Sequence, residues 1–98
     1  MLHNFNYMKK QQVHLGALIR DYRLKAGLTQ IELATKLNYS IPQFISLMEN
    51  GHSKIPLNIL GQIISVLNIP EKKALDLLVS SYIKEAKLQI SIGKKNAS

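Results

Sequence analysis

Cysteine is absent from the 98-residue sequence, and acidic residues are few. Without cysteine the chain can form neither a disulfide framework nor a thiolate metal site, so a reducing cytoplasm is the simplest compartment for it. Six Asp and Glu residues stand against thirteen Lys and Arg residues, which gives a formal net charge of +7. That excess favours an anionic partner, either nucleic acid or an acidic membrane surface.

Long apolar runs and catalytic groupings are also missing. Polar residues interrupt the apolar segments every few positions, so none approaches the roughly 18 to 20 apolar residues that span a bilayer. The three histidines are scattered, and neither paired carboxylates nor a glycine-rich phosphate loop accompanies them. We therefore expect no membrane partner, no enzyme activity, no cofactor and no metal site.

The sequence does contain enough apolar residues for one small domain, because 46% of its residues are hydrophobic. We assign this domain to residues 13–70, a dimerisation segment to residues 71–92 and a disordered tail to residues 93–98. Residues 1–12 carry lysines after aromatic residues and lack an apolar stretch, which is the wrong order for a secretory signal. We interpret them as a flexible arm, whose lysines either approach a phosphate backbone or stay solvated.

Apolar residues at spacings of three and four predict the first three helices. Helix 1 covers about residues 13–26 and ends at Gly27, since glycine suits a left-handed helix cap. Thr29 and Glu32 form a Thr-x-x-Glu capping box, which marks the start of helix 2. Helix 3 covers about residues 41–50 and ends at an Asn-Gly pair. Its buried stripe comprises Ile41, Phe44, Ile45 and Met48.

Two further helices are predicted, and the C-terminal end is ambiguous. Helix 4 follows the loop of residues 52–56, and helix 5 begins near Pro70. From Leu88 to Ile92, apolar residues alternate with polar ones, which is typical of a short strand. A helix continued through Ile92 fits the same residues, so both interpretations stay open.

Two short helices, 30–38 and 41–50, have the dimensions of a helix-turn-helix, whose second helix enters the major groove of DNA. Around them stand short motifs in a characteristic order: Leu15-Gly16, Ile19-Arg20, Arg23, Gly27-Leu28-Thr29-Gln30, Leu33-Ala34 and Glu49-Asn50-Gly51. With these motifs the sequence resembles the Cro/C1-type, or XRE-like, repressor family over roughly residues 15–69. The resemblance implies an all-α, lambda-repressor-like helix-turn-helix bundle of about five helices. The pattern of residues 88–92 adds either a short C-terminal strand or a continued last helix.

The resemblance implies base-reading positions on the outward face of helix 3. Gln43 matches one of them, and a glutamine amide can pair bidentately with adenine. Ser46 and Asn50 lie beside it and are either base readers or solvated residues. Pro42 and Leu47 occupy positions that are often polar, where they can touch a thymine methyl group. Helix 3 carries no arginine, so it lacks the usual means of reading guanine.

Backbone contacts are implied at both ends of the motif. Gln30, at the start of helix 2, matches a phosphate-contacting glutamine, with Thr29 beside it. The alternative is an ordinary residue of the first helical turn. In the loop after helix 3, His52, Ser53 and Lys54 correspond to positions that contact the DNA backbone. The contact of Lys54 requires the least precise alignment, because it depends on charge.

Arg23 and Glu49 match a pair that ties helix 1 to the end of helix 3 in related repressors. The implied role is structural, so Arg23 is not counted among the DNA contacts. Removing either partner would leave a partly buried charge unpaired.

We therefore predict a cytoplasmic, nucleoid-associated regulator of transcription, acting as a repressor on double-stranded DNA. Two copies would join through residues 71–92 and read a pseudo-palindromic operator, with recognition helices roughly 34 Å apart. The alternative for helix 5 is a monomer on which it folds back. A second hypothesis keeps the fold but makes it a protein-interaction module, an antitoxin-like or anti-repressor partner, because of Pro42, Leu47 and the apolar C-terminal segment.

Overall fold

The computed structural model describes residues 2–38 and 42–97, with side chains over residues 14–38 and 42–97. Its elements are the helices α1 (Leu2–Lys25), α2 (Gln30–Lys36), α3 (Gln43–Glu49), α4 (Leu57–Leu67) and α5 (Glu71–Ala97). The described part of the chain holds five helices and no strand, which confirms the predicted all-α class. None of these helices combines the length and the apolar character needed to cross a membrane.

The capping box at the start of α2 is present in the structure. The backbone N–H of Glu32 donates to Thr29 Oγ1 at 3.0 Å, and the N–H of Thr29 donates to Glu32 Oε1 at 2.9 Å. The hydrogen bond from the Thr29 backbone lowers the pKa of Glu32 because it stabilises the ionised carboxylate. These bonds cap α2, which starts at Gln30, while α1 ends at Lys25, shortly before Gly27 in the left-handed region (φ 73°).

Among the described side chains, an apolar core lies where the helices meet. Its centre is formed by side chains that are almost completely buried, on α1, α2, α3 and α4. They are Ile19, Leu33, Ile45, Met48 and Ile63. Of the predicted stripe on helix 3, Ile45 and Met48 are buried and Phe44 is half-buried, while Ile41 lies outside the described residues. The stripe holds α3 against the core and turns its opposite face outward.

Gly16 marks the closest approach of α1 to α3. A methyl group added there would lie 2.3 Å from the carbonyl oxygen of Met48 and 2.6 Å from that of Glu49. Both atoms belong to the backbone at the end of α3. The helices can therefore cross this tightly only because residue 16 has no side chain.

Both ends of the chain are more helical than the sequence predicted. Helix α1 begins at Leu2, so the flexible arm assigned to residues 1–12 is wrong for residues 2–12. Helix α5 continues to Ala97, so residues 88–92 are helical and not a strand, and the disordered tail is wrong for residues 93–97. The two helices pack against each other, and helices gain most of their stability from such packing.

The pattern of burial along α5 explains why the strand interpretation failed. One face carries the buried or half-buried positions Ala74, Leu78, Ser81, Glu85, Leu88 and Ile92. Their spacings alternate between four and three residues, which is a helical seam. Leu88 and Ile92 lie one helical turn apart on this seam, whereas Ile90 between them is exposed. The alternation of apolar and polar residues from Leu88 to Ile92 therefore fits a helix as well.

The start of α5 is tied to the end of α1 through Tyr22. Lys73 Nζ donates to Tyr22 Oη at 3.3 Å and lies 5.7 Å from the centre of its ring. Lys25 Nζ lies 4.9 Å from the same ring centre. Helix α5 therefore packs back on its own chain, as the monomer alternative required, while its other face stays exposed.

Candidate nucleic-acid interface

Helices α2 and α3 form the helix-turn-helix pair. They pack together, and α3 also packs on α1. The segment between them includes residues 39–41, which lie outside the described part of the chain. Because α3 buries Ile45 and Met48, its outward face is left for a partner.

The five base-reading positions predicted from the sequence lie on or next to that outward face. Gln43 is exposed at the first turn of α3, and Pro42 precedes it as the N-terminal cap, half-buried. Leu47 is 44% exposed. Asn50 Nδ2 donates to Ser46 Oγ at 3.4 Å, so these two side chains are coupled. Within the described residues Gln43 has no such partner, so its amide is available to a base edge.

The two positions at the start of α2 that the sequence predicts to contact phosphate, Thr29 and Gln30, differ in the hydrogen-bond donors that they still have free. Thr29 Oγ1 already accepts the N–H of Glu32, but its hydroxyl proton stays free to donate to an anion. Gln30 Nε2 donates to Glu49 Oε1 at 3.0 Å. Since a glutamine amide has two N–H donors, one remains for a ligand. The sequence pattern did not predict the contact between Gln30 and Glu49, because nineteen residues separate the two side chains.

Arg23 and Glu49 lie together beneath this surface. Arg23 Nε donates to Glu49 Oε2 at 2.5 Å, and a second guanidinium N–H donates to Oε1 at 3.0 Å. The remaining terminal nitrogen donates to the carbonyl oxygen of Leu28 at 2.8 Å. The side chains are 8% and 1% exposed. This bidentate pair joins α1, the loop before α2 and the end of α3.

The loop after α3 contains His52, Ser53 and Lys54, the other three residues predicted to contact the DNA backbone. The N–H of His52 donates to the carbonyl oxygen of Leu47 at 2.9 Å, which closes the last turn of α3. Ser53 Oγ donates to the carbonyl oxygen of Lys54 at 3.2 Å. The side chains of His52 and Lys54 are exposed, so the loop after α3 presents a cation to the solvent.

Comparison with known proteins agrees with this arrangement. A family model described as helix-turn-helix matches residues 19–73, more than half of the chain. A search of curated proteins gave no match. Among solved structures, the clp gene regulator ClgR from Corynebacterium glutamicum has a similar fold, with a TM-score of 0.59 and 23% sequence identity over 89% of this chain and 88% of that chain. The chain therefore belongs to the XRE-type helix-turn-helix family of DNA-binding transcription regulators.

Proposed function

We propose that the chain is a cytoplasmic, homodimeric repressor that binds a pseudo-palindromic operator in double-stranded DNA through α3. The observation that carries this proposal is the outward face of α3, where Gln43 is exposed and has no hydrogen-bond partner among the described residues. The chain's net charge of +7 supports attraction to DNA. A reporter gene downstream of the bound sequence distinguishes repression from activation, since a repressor lowers its expression.

The proposed contacts divide into those that read bases and those that hold the backbone. Gln43 reads adenine, the coupled Ser46 and Asn50 offer further polar contacts, and Pro42 and Leu47 pack on thymine methyl groups. Backbone binding comes from the donors at the start of α2 and from the loop after α3. These residues are Thr29, Gln30, His52, Ser53 and Lys54. Since the reading face has no charge, we expect modest base discrimination and affinity dominated by phosphate contacts.

A pair of variants separates base recognition from binding to the phosphate backbone. Gln43→Ala removes a bidentate base contact, which is worth about 1 to 3 kcal/mol of discrimination, so preference at one or two base pairs should fall. Lys54→Ala removes a phosphate contact, so affinity should fall about equally on every sequence. The slope of log affinity against log salt concentration should become less steep by about 0.9, the contribution of one phosphate contact. Both affinities are measured on DNA selected from a random pool by the native protein and on unselected DNA. Equal losses on both DNAs for both variants would contradict the reader assignment.

The dimer proposal rests on the face of α5 turned away from the seam. This face carries large apolar side chains that are 42% to 74% exposed, namely Leu75, Val79, Tyr82, Ile83 and Ile90. They recur at helical spacing over about four turns, and a continuous apolar stripe of this length is unusual on a monomer. A second copy with the same stripe would cover it through a two-fold axis.

Replacing Val79 and Ile83 together by glutamate tests this surface. Charges placed opposite each other in a two-fold interface repel, so the variant should sediment as a monomer and lose most of its affinity for a full operator. The control is Leu24→Glu, since Leu24 is 56% exposed and lies on the side of α1 away from Tyr22, which contacts α5. A double variant that keeps the native oligomeric mass by analytical ultracentrifugation would contradict dimerisation through α5.

A second candidate function is a protein-interaction module, which the exposed Leu47 at the centre of the outward face favours. Ionic strength separates the two functions. DNA binding releases counterions, so the logarithm of the affinity should fall linearly with the logarithm of the salt concentration. The slope should be about −0.9 for each phosphate contacted. An apolar protein contact at Leu47 would show little salt dependence.

A further inference from the structure

A hydrogen-bonded chain leads from the buried core to the proposed phosphate contact. Arg23 holds both oxygens of Glu49, and Oε1 of that carboxylate accepts a second donor, Nε2 of Gln30. The Glu49 side chain is 1% exposed, while Gln30 is half-buried. The carboxylate is therefore rigidly held, and the amide that it binds lies at the edge of the protein surface.

This contact sets the orientation of the Gln30 amide. If the amide were rotated by half a turn, its oxygen would face the carboxylate oxygen of Glu49, and two acceptors would repel. One N–H must therefore face Glu49, which leaves the second N–H and the amide oxygen for other partners. Of these, only the N–H can bind an anion. A side chain already fixed in this way also loses less conformational entropy when it binds than a free one does.

From this geometry we infer that Glu49 is a positioning residue for DNA binding, which aims the free N–H of Gln30 at a backbone phosphate. The inference rests on the proposed function, since it assumes that Gln30 meets a phosphate. Glu49 itself does not touch DNA. Its carboxylate would repel a phosphate, and it is covered by Arg23 and Gln30.

The test measures one phosphate at a time. DNA selected by the native protein from a random pool is synthesised with single neutral methylphosphonate linkages along each strand. For the native protein we expect about a tenfold loss of affinity at the phosphate that Gln30 contacts. Gln30→Ala should bind DNA with a neutral linkage at that phosphate as well as it binds unmodified DNA, and it should respond like the native protein to neutral linkages elsewhere. This difference identifies the phosphate. A second sensitive linkage, identified in the same way with Lys54→Ala, serves as the internal control.

The positioning role is then tested with Arg23→Met/Glu49→Leu, which removes the anchor of Gln30 and keeps the interior filled. For this double variant, we expect the loss of affinity caused by a neutral linkage at the phosphate of Gln30 to be several-fold smaller than for the native protein. The loss caused by a neutral linkage at the phosphate of Lys54 should be unchanged. A purely structural role would leave both unchanged or weaken both equally, and either result overturns the inference. If the native protein binds no DNA at all, the proposed function fails and this role fails with it.

A measurement on the native protein keeps the inference testable if the double variant does not fold. Nuclear magnetic resonance resolves the side-chain amide protons of glutamine, and Gln30→Ala and Gln43→Ala assign the two pairs. The side-chain amide of Gln30, which donates to Glu49, should exchange its protons with water more slowly than that of Gln43, which has no hydrogen-bond partner among the described residues. Equal exchange rates would overturn the inference, whatever the DNA results.

Discussion

Gly16→Ala is expected to lower the free energy of unfolding by about 3 kcal/mol, at the upper end of the usual cost of overpacking. The added methyl carbon would meet three backbone atoms of Met48 and Glu49 at 2.3 to 2.8 Å. Backbone cannot swing aside as a flexible side chain can, so α1 and the end of α3 must separate. Alanine's higher helix propensity returns about 1 kcal/mol at most. Since α3 carries the proposed readers, operator affinity should fall as well.

Thermal unfolding checks this, with Gly61→Ala as the matched control. Gly61 is also inside a helix, but a methyl group there meets nothing within 4 Å. The control should therefore gain about 0.5 to 1 kcal/mol from propensity alone. For a domain of this size each kcal/mol shifts the melting temperature by about 4 to 8 °C. Opposite shifts are expected, and a higher melting temperature for both variants would contradict the tight crossing of α1 and α3.

Arg23→Ala is expected to cost about 3 to 5 kcal/mol, because it leaves a buried carboxylate without its cation. The Glu49 side chain is 1% exposed, and among the described residues it takes two of its three hydrogen bonds from Arg23. The carbonyl oxygen of Leu28 loses a donor in the same variant. A small domain has only about 5 to 15 kcal/mol in total, so the variant should lose a large share of its stability and unfold at a clearly lower urea concentration than the native protein.

Two comparisons show whether burial is the cause. Arg23→Met/Glu49→Leu removes both charges together and should restore most of the stability, since apolar pairs replace buried ion pairs at little cost. Lys72→Ala breaks an exposed ion pair, in which Lys72 Nζ lies 2.9 Å from Asp76 Oδ2 and the side chains are 86% and 63% exposed. Its urea midpoint should barely move, because exposed pairs contribute little. A double variant as unstable as Arg23→Ala would rule out the unpaired charge as the source of the loss.

The prediction of residues 1–12 and 88–97 shows where sequence patterns stop being informative. Neither segment has a strong helical signal of its own, and short apolar runs fit a strand as well as a helix. In the structure α1 and α5 pack against each other. A helix that is marginal alone becomes stable when a neighbour covers one face, and the sequence of either segment does not contain that neighbour.

The helix-turn-helix and its family were determined by the sequence alone, because their signals are local. A capping box acts across three residues, a glycine stop acts at one, and buried stripes repeat within one helix. The outward face of α3 follows directly from its buried face. What only the tertiary structure decided are contacts between residues far apart in the chain, such as Gly16 against α3 and Gln30 on Glu49. Such contacts depend on how the helices cross, and the crossing is set by packing of the whole core.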